Sequence, residues 1–160
     1  MFADVVDTDN YNMAVRRRLV EYALHMRQRS DQLFLTRNPN RAAEVLRRNA
    51  YDPANFYPWS AHMLAKLFLT GTGVPQDEAE AFSLLNECGQ KPGRFVQSVS
   101  WSIPADAIGC RLTLAQAHRF GWGTSVNIAR ADQIEAIAVA DYRRLTGKTS
   151  SAAELREVLQ

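Results

Sequence analysis

The chain has 160 residues, 46% of them hydrophobic and 22% charged, with a formal net charge of +2. That is enough apolar chain for one real core, and it excludes disordered and collagen-like classes. No run reaches the roughly 18 to 20 apolar residues that span a bilayer, and Met1 is followed by Asp4 and Asp7 in place of a basic start and an apolar stretch; no anchor or signal peptide is expected, which favours the cytoplasm over the periplasm.

In chain order, a first helix is expected from Thr8 or Asp9, either of which can cap it, to near Gln28. Ser30 and Asp31 open a short helix to Thr36, and Asn38-Pro39 starts the next, which carries Ala42, Val45 and Leu46. Asp52-Pro53 and Tyr57-Pro58 break the chain, because a residue before proline avoids helical geometry. Ala61, Leu64, Ala65 and Phe68 then share one helical face. Gly71 and Gly73 supply the positive φ of a tight turn, Pro75, Asp77 and Glu78 suit a helix N-terminus, and Ala81, Phe82, Leu84 and Leu85 form the facing stripe.

A long connection runs from Gly89 to Ile103. Pro104 starts another helix, Ile128 to Leu145 forms its companion, and Ser151 with Glu154 makes a capping box for a short helix, Ala152 to Leu159, with Leu155, Val158 and Leu159 on its buried side.

The chain resembles itself. Leu114-Ala115, His118, Gly121-Trp122-Gly123, Asn127 and Ala131 match Leu64-Ala65, Phe68, Gly71-Thr72-Gly73, Asp77 and Ala81 at one constant offset of about fifty residues. Upstream, Leu33-Phe34-Leu35-Thr36 repeats Leu67-Phe68-Leu69-Thr70, and Ala42, Val45 and Leu46 echo Ala81, Leu84 and Leu85. A helical hairpin cannot bury its own apolar face, so hairpins of this kind stack. Residues 61–85, through Ala61, Leu64-Ala65, Phe68, Gly71-Thr-Gly-Val74, Asp77, Ala81 and Leu84-Leu85, resemble a Sel1-like repeat, a relative of the tetratricopeptide hairpin.

The resemblance implies an all-α, right-handed α-solenoid of about three hairpins. Residues 1–30 are then an N-terminal capping helix, 31–50 a degenerate hairpin, 58–88 the best-formed repeat, 89–103 the connecting loop, 104–146 a degenerate repeat and 151–160 a C-terminal cap, all in a single domain.

Catalytic constellations are weak. His25, His62 and His118 stand outside any metal-ligand spacing, and Thr70-Gly-Thr-Gly-Val lacks the ending and the preceding strand of a phosphate loop. Neither a metal nor a cofactor is expected. Arg16-Arg17-Arg18 point in three directions about 100° apart, a poor phosphate-tracking stripe. Cys88 and Cys110 either close the long loop as a disulfide in an exported protein or are two buried free thiols; the sequence favours the thiols.

The resemblance implies a noncatalytic adaptor that binds a partner protein or peptide on the concave face lined by the first helix of each hairpin. On the helical wheel this face is Trp59, His62, Lys66 and Thr70 in one hairpin and Thr113, Gln116 and Phe120 in the next, with Trp122 at the turn. Trp59 alternatively packs on the preceding helix. Phe95, Val96, Val99 and Trp101 alternate through the loop and are read as a cover over the core. The alternatives are an immunity protein that neutralises a toxin, nucleic-acid binding through the arginine-rich first helix, and an enzyme using His62, Lys66 and His118.

Overall fold

The computed structural model describes residues 37–51, 58–90 and 102–159. The expected helix over residues 8–28 with Arg16 to Arg18, the short helix before Thr36 with the Leu33 to Thr36 echo, and the alternating segment of Phe95 to Trp101 lie outside these residues. The protein is all-α: the described residues form six helices and no strand. They are α1 (Pro39–Ala50), α2 (Pro58–Thr70), α3 (Glu78–Gln90), α4 (Ser102–Phe120), α5 (Ile128–Thr146) and α6 (Ala152–Leu159).

Three helix starts use the same device. The side-chain oxygen of Asn38 accepts from Arg41 N at 3.1 Å, that of Asp77 from Glu80 N at 3.0 Å, and that of Asn127 from Arg130 N at 2.9 Å. Each satisfies a donor that the first helical turn leaves without a backbone partner. Pro39 needs no such partner and occupies the first helical position of α1. The α4 helix begins two residues ahead of Pro104, which the first turn tolerates for the same reason, and α3 runs to Gln90. The connection expected over 89–103 is therefore residues 91–101.

The turns between α2 and α3 and between α4 and α5 repeat atom by atom. Thr72 N reaches Leu67 O at 3.1 Å and Asp77 N reaches Phe68 O at 2.9 Å; fifty residues on, Trp122 N reaches Ala117 O at 2.9 Å and Asn127 N reaches His118 O at 2.7 Å. Gly71, Gly73, Gly121 and Gly123 all have φ between 69° and 74°, the left-handed region that side chains strain to enter. The second glycine of each turn has a further reason. A Cβ on Gly73 lies 2.5 Å from Pro39 O, and one on Gly123 overlaps Glu78 O. Each turn is thus seated, backbone on backbone, against the start of an earlier helix, α1 for Gly73 and α3 for Gly123.

Packing follows from this seating. Consecutive helices contact one another, α2 also contacts α4, and α6 lies against both α4 and α5. The main core joins Leu46, Leu64, Leu67, Phe68, Leu84, Leu85, Leu114 and Ile134, while a second cluster of Ile108, Leu112, Ala138 and Leu155 holds α6. The Ser151 capping box is formed, with Glu154 N donating to Ser151 Oγ at 3.1 Å and Ser151 N to Glu154 Oε1 at 3.4 Å. Leu155 is buried as expected; the side chains of Val158 and Leu159 lie outside the described residues.

One expectation is corrected here. Cys88 on α3 and Cys110 on α4 are not free thiols but a disulfide, with Cα atoms 6.0 Å apart and both residues fully buried. The sequence left the pairing open and leaned the other way; it arises because α4 folds back along α3.

Candidate functional site

The structure separates the residues expected on one concave face into two groups. His62 and Thr113 are a correction: they are 2% and 3% exposed and face each other, His62 Nε2 to Thr113 Oγ1 at 2.7 Å. The helical wheel assigned α2 a single buried face. In the folded chain α2 is flanked by α1, α3 and α4, so Ser60 through Ala65 are buried all the way round. The side read as a groove is where α4 packs on α2.

Burial, then Lys66, keeps the His62 ring well below the usual histidine range, so it is neutral. Thr113 Oγ1 also reaches the Gly109 carbonyl at 3.4 Å, which suits a ring carrying its proton on Nε2.

The remaining candidates lie at or near the surface. Trp59 is half-buried and packs against the main core. Lys66 and Gln116 are half-buried, and Thr70 is exposed at the end of α2. Phe120 is 58% exposed, and its ring lies 5.4 Å from that of Trp122, which is itself partly buried against the core.

The two equivalent turns differ in one telling respect. In the turn after α2, the Thr70 and Thr72 hydroxyls meet at 2.8 Å and Gln76 Nε2 donates to Leu69 O at 3.0 Å. At the fifty-residue offset those positions carry Phe120, Trp122 and Val126, and Glu78 becomes Ile128. Phe120, Val126 and Ile128 are all exposed large hydrophobics. The same backbone therefore has a polar rim in one hairpin and an apolar rim in the next. Val126 and Ile128 were missed in the sequence, although reading the offset past Gly123 finds them.

Other buried polar side chains make structural contacts, although Arg111 Nη2 and His118 Nε2 have no hydrogen-bond partner among the described residues. Arg111, 3% exposed, donates Nε to Gly89 O at 2.7 Å and pairs through Nη1 with Asp141, so one guanidinium ties the end of α3 to α5. His118 stacks edge-on against Phe82 at 5.3 Å, and burial, then Arg130, lowers its pKa. Arg119 bridges Asp132 at 2.7 Å and Glu135 at 3.2 Å, and Glu135 also receives Arg156 of α6 at 2.8 Å. Among the described residues no three His, Cys, Asp or Glu side chains group as a metal site, and no helix is long and apolar enough to cross a membrane. The chain matches no protein-family model, no curated protein and no solved structure.

Proposed function

We propose that the protein is a Sel1-like repeat protein, a right-handed α-solenoid of about three hairpins that acts as a noncatalytic adaptor for a partner protein. The repeated turn hydrogen bonds, the three matching helix caps and the two matching glycine seats support the repeat reading. One observation carries the binding reading: the third hairpin's turn exposes Phe120, Val126 and Ile128 where an equivalent turn functions with Thr70, Gln76 and Glu78. The fold does not need apolar residues there, and exposed aromatic side chains on a rigid support make good anchors for a partner. Trp59, Lys66, Thr70 and Gln116 extend the surface along the first helices. A stacked scaffold loses little ordering entropy on binding, so a few anchors suffice for specificity.

Neither histidine favours the enzyme reading, since His62 is sealed between two helices and His118 Nε2 is buried. The test is affinity capture from the native organism, then reconstitution with the purified candidate by calorimetry. A defined complex with a protein partner is expected. A tight stoichiometric complex with a toxin makes the protein an immunity protein, and failure of every captured candidate to bind directly overturns the adaptor reading.

A further inference from the structure

The outward side of α5 carries apolar residues that the fold does not require. Gln133, Ala136, Ile137 and Ala140 are exposed there, Ile137 by 48%. They fall within about 100° around the helix, opposite the buried stripe of Ala131, Ile134 and Ala138. On α3, at the fifty-residue offset, Asn86, Glu87 and Gln90 stand where α5 has Ala136, Ile137 and Ala140. An equivalent helix therefore folds with polar side chains at these positions.

Charge on this face is arranged about Ile137. Asp132 lies five residues before it and Arg143 six residues after it, both exposed. The two are about 20° apart around the helix, along the edge of the face remote from Ile137. Arg143 makes no ion pair among the described residues, and Asp132, which receives Arg119 on Oδ1, keeps its side chain 65% exposed. Arg144 is paired with Asp141, Arg130 turns to Gln133, and Glu135 is held by Arg119 and Arg156. The unmatched charge of the face is thus positive at the end of α5 and negative near its start.

A second α5 laid antiparallel across Ile137 brings Asp132 of one protomer opposite Arg143 of its partner, because spacings of five and six residues differ by one helical rise of about 1.5 Å. A parallel arrangement sets like charge on like. We infer that the protein forms a twofold dimer through the outward face of α5, with Ile137 of the two protomers meeting at the crossing and two Asp132–Arg143 pairs flanking it. A twofold interface must be complementary to itself, and opposite charges at near-equal distances from an apolar centre meet that requirement. The dimer goes beyond the adaptor reading and uses no residue of the Phe120 turn.

The test is sedimentation velocity over a concentration series of the full chain, Ile137→Glu, which copies the residue of α3, and Arg143→Glu, which sets like charges opposite each other. A dimer with a dissociation constant of about 10 μM or tighter is expected. Ile137→Glu should weaken it by about tenfold or more, and Arg143→Glu by about threefold or more, with the larger effect at low salt. Both residues are exposed, so each variant should keep the helical circular dichroism of the wild type. A wild-type monomer at every concentration up to about 100 μM, or a dimer that either variant leaves intact, overturns the inference.

Discussion

Two glycines in each turn share a backbone conformation but not a neighbourhood. A Cβ on Gly71 comes no nearer than 3.3 Å, to Gln76 Cβ, and one on Gly121 no nearer than 3.1 Å, to Val126 Cγ2, tight contacts that small shifts can relieve, whereas Gly73 and Gly123 overlap carbonyl groups of α1 and α3. Gly71→Ala should therefore cost about 1 kcal/mol, from positive φ alone, and Gly73→Ala at least about 2 kcal/mol, because strain and overlap add. Equal losses in urea denaturation contradict the seating. His62 gives a second prediction. The unfolded ring titrates near 6.5 and the buried ring well below, so between those values the unfolded chain holds more protons, and stability is lost as pH falls below about 6.5. His118 adds in the same direction. The melting temperature should drop between about pH 7 and about pH 5, and His62→Gln, which keeps a donor for Thr113 and takes up no proton, should flatten that slope. An unchanged slope removes His62 as the cause.

At the scale of helices and turns, α6 is the element whose hold is simplest to probe. It is fixed by Leu155 in the second cluster, by the Arg156–Glu135 pair and by the Ser151 cap. Ser151→Ala should cost about 1 kcal/mol, and Leu155→Ala about 2 to 5 kcal/mol; a smaller loss for Leu155→Ala than for Ser151→Ala, measured by denaturation, contradicts the packing. Much of this level was legible in the sequence, because caps, turn glycines and apolar stripes act over a few residues: Asn38, Gly71, Gly73, Asp77 and Ser151 all do what their local pattern implies. The fate of His62 and Thr113 was not legible. A helical wheel describes one helix, and which of its sides a later helix covers depends on how α4 lies on α2, a contact across 51 residues. The exposed turn of Phe120 and Val126 was half legible, since the offset that aligns the glycines also aligns these residues with Thr70 and Gln76.

Across the described residues, the turns are joined to α1 and α3 by glycine seats, α3 to α4 by the Cys88–Cys110 bridge, and α3 to α5 by Arg111. The bridge closes a loop of 22 residues, so the Cys88→Ser, Cys110→Ser protein should lose about 2 to 4 kcal/mol. Two reactive thiols in the unfolded, unreduced wild type contradict the pairing. The corresponding helix position also changes character along the chain: Leu46 and Leu85 are buried, while the equivalent position on α5 is Glu135, neutralised by Arg119 and Arg156. Around Glu135 the α5 surface is therefore polar and paired, while exposed apolar side chains remain at Ile137 and at the turn residues Phe120, Val126 and Ile128. The central claim is that this turn is apolar for a partner and not for the fold. Its most direct test is the double variant Phe120→Thr, Val126→Gln, which restores the residues of the preceding turn, measured for melting temperature and for binding to the captured partner. An unchanged or higher melting temperature with partner binding lost is the predicted result; a clear fall in melting temperature with binding intact contradicts it.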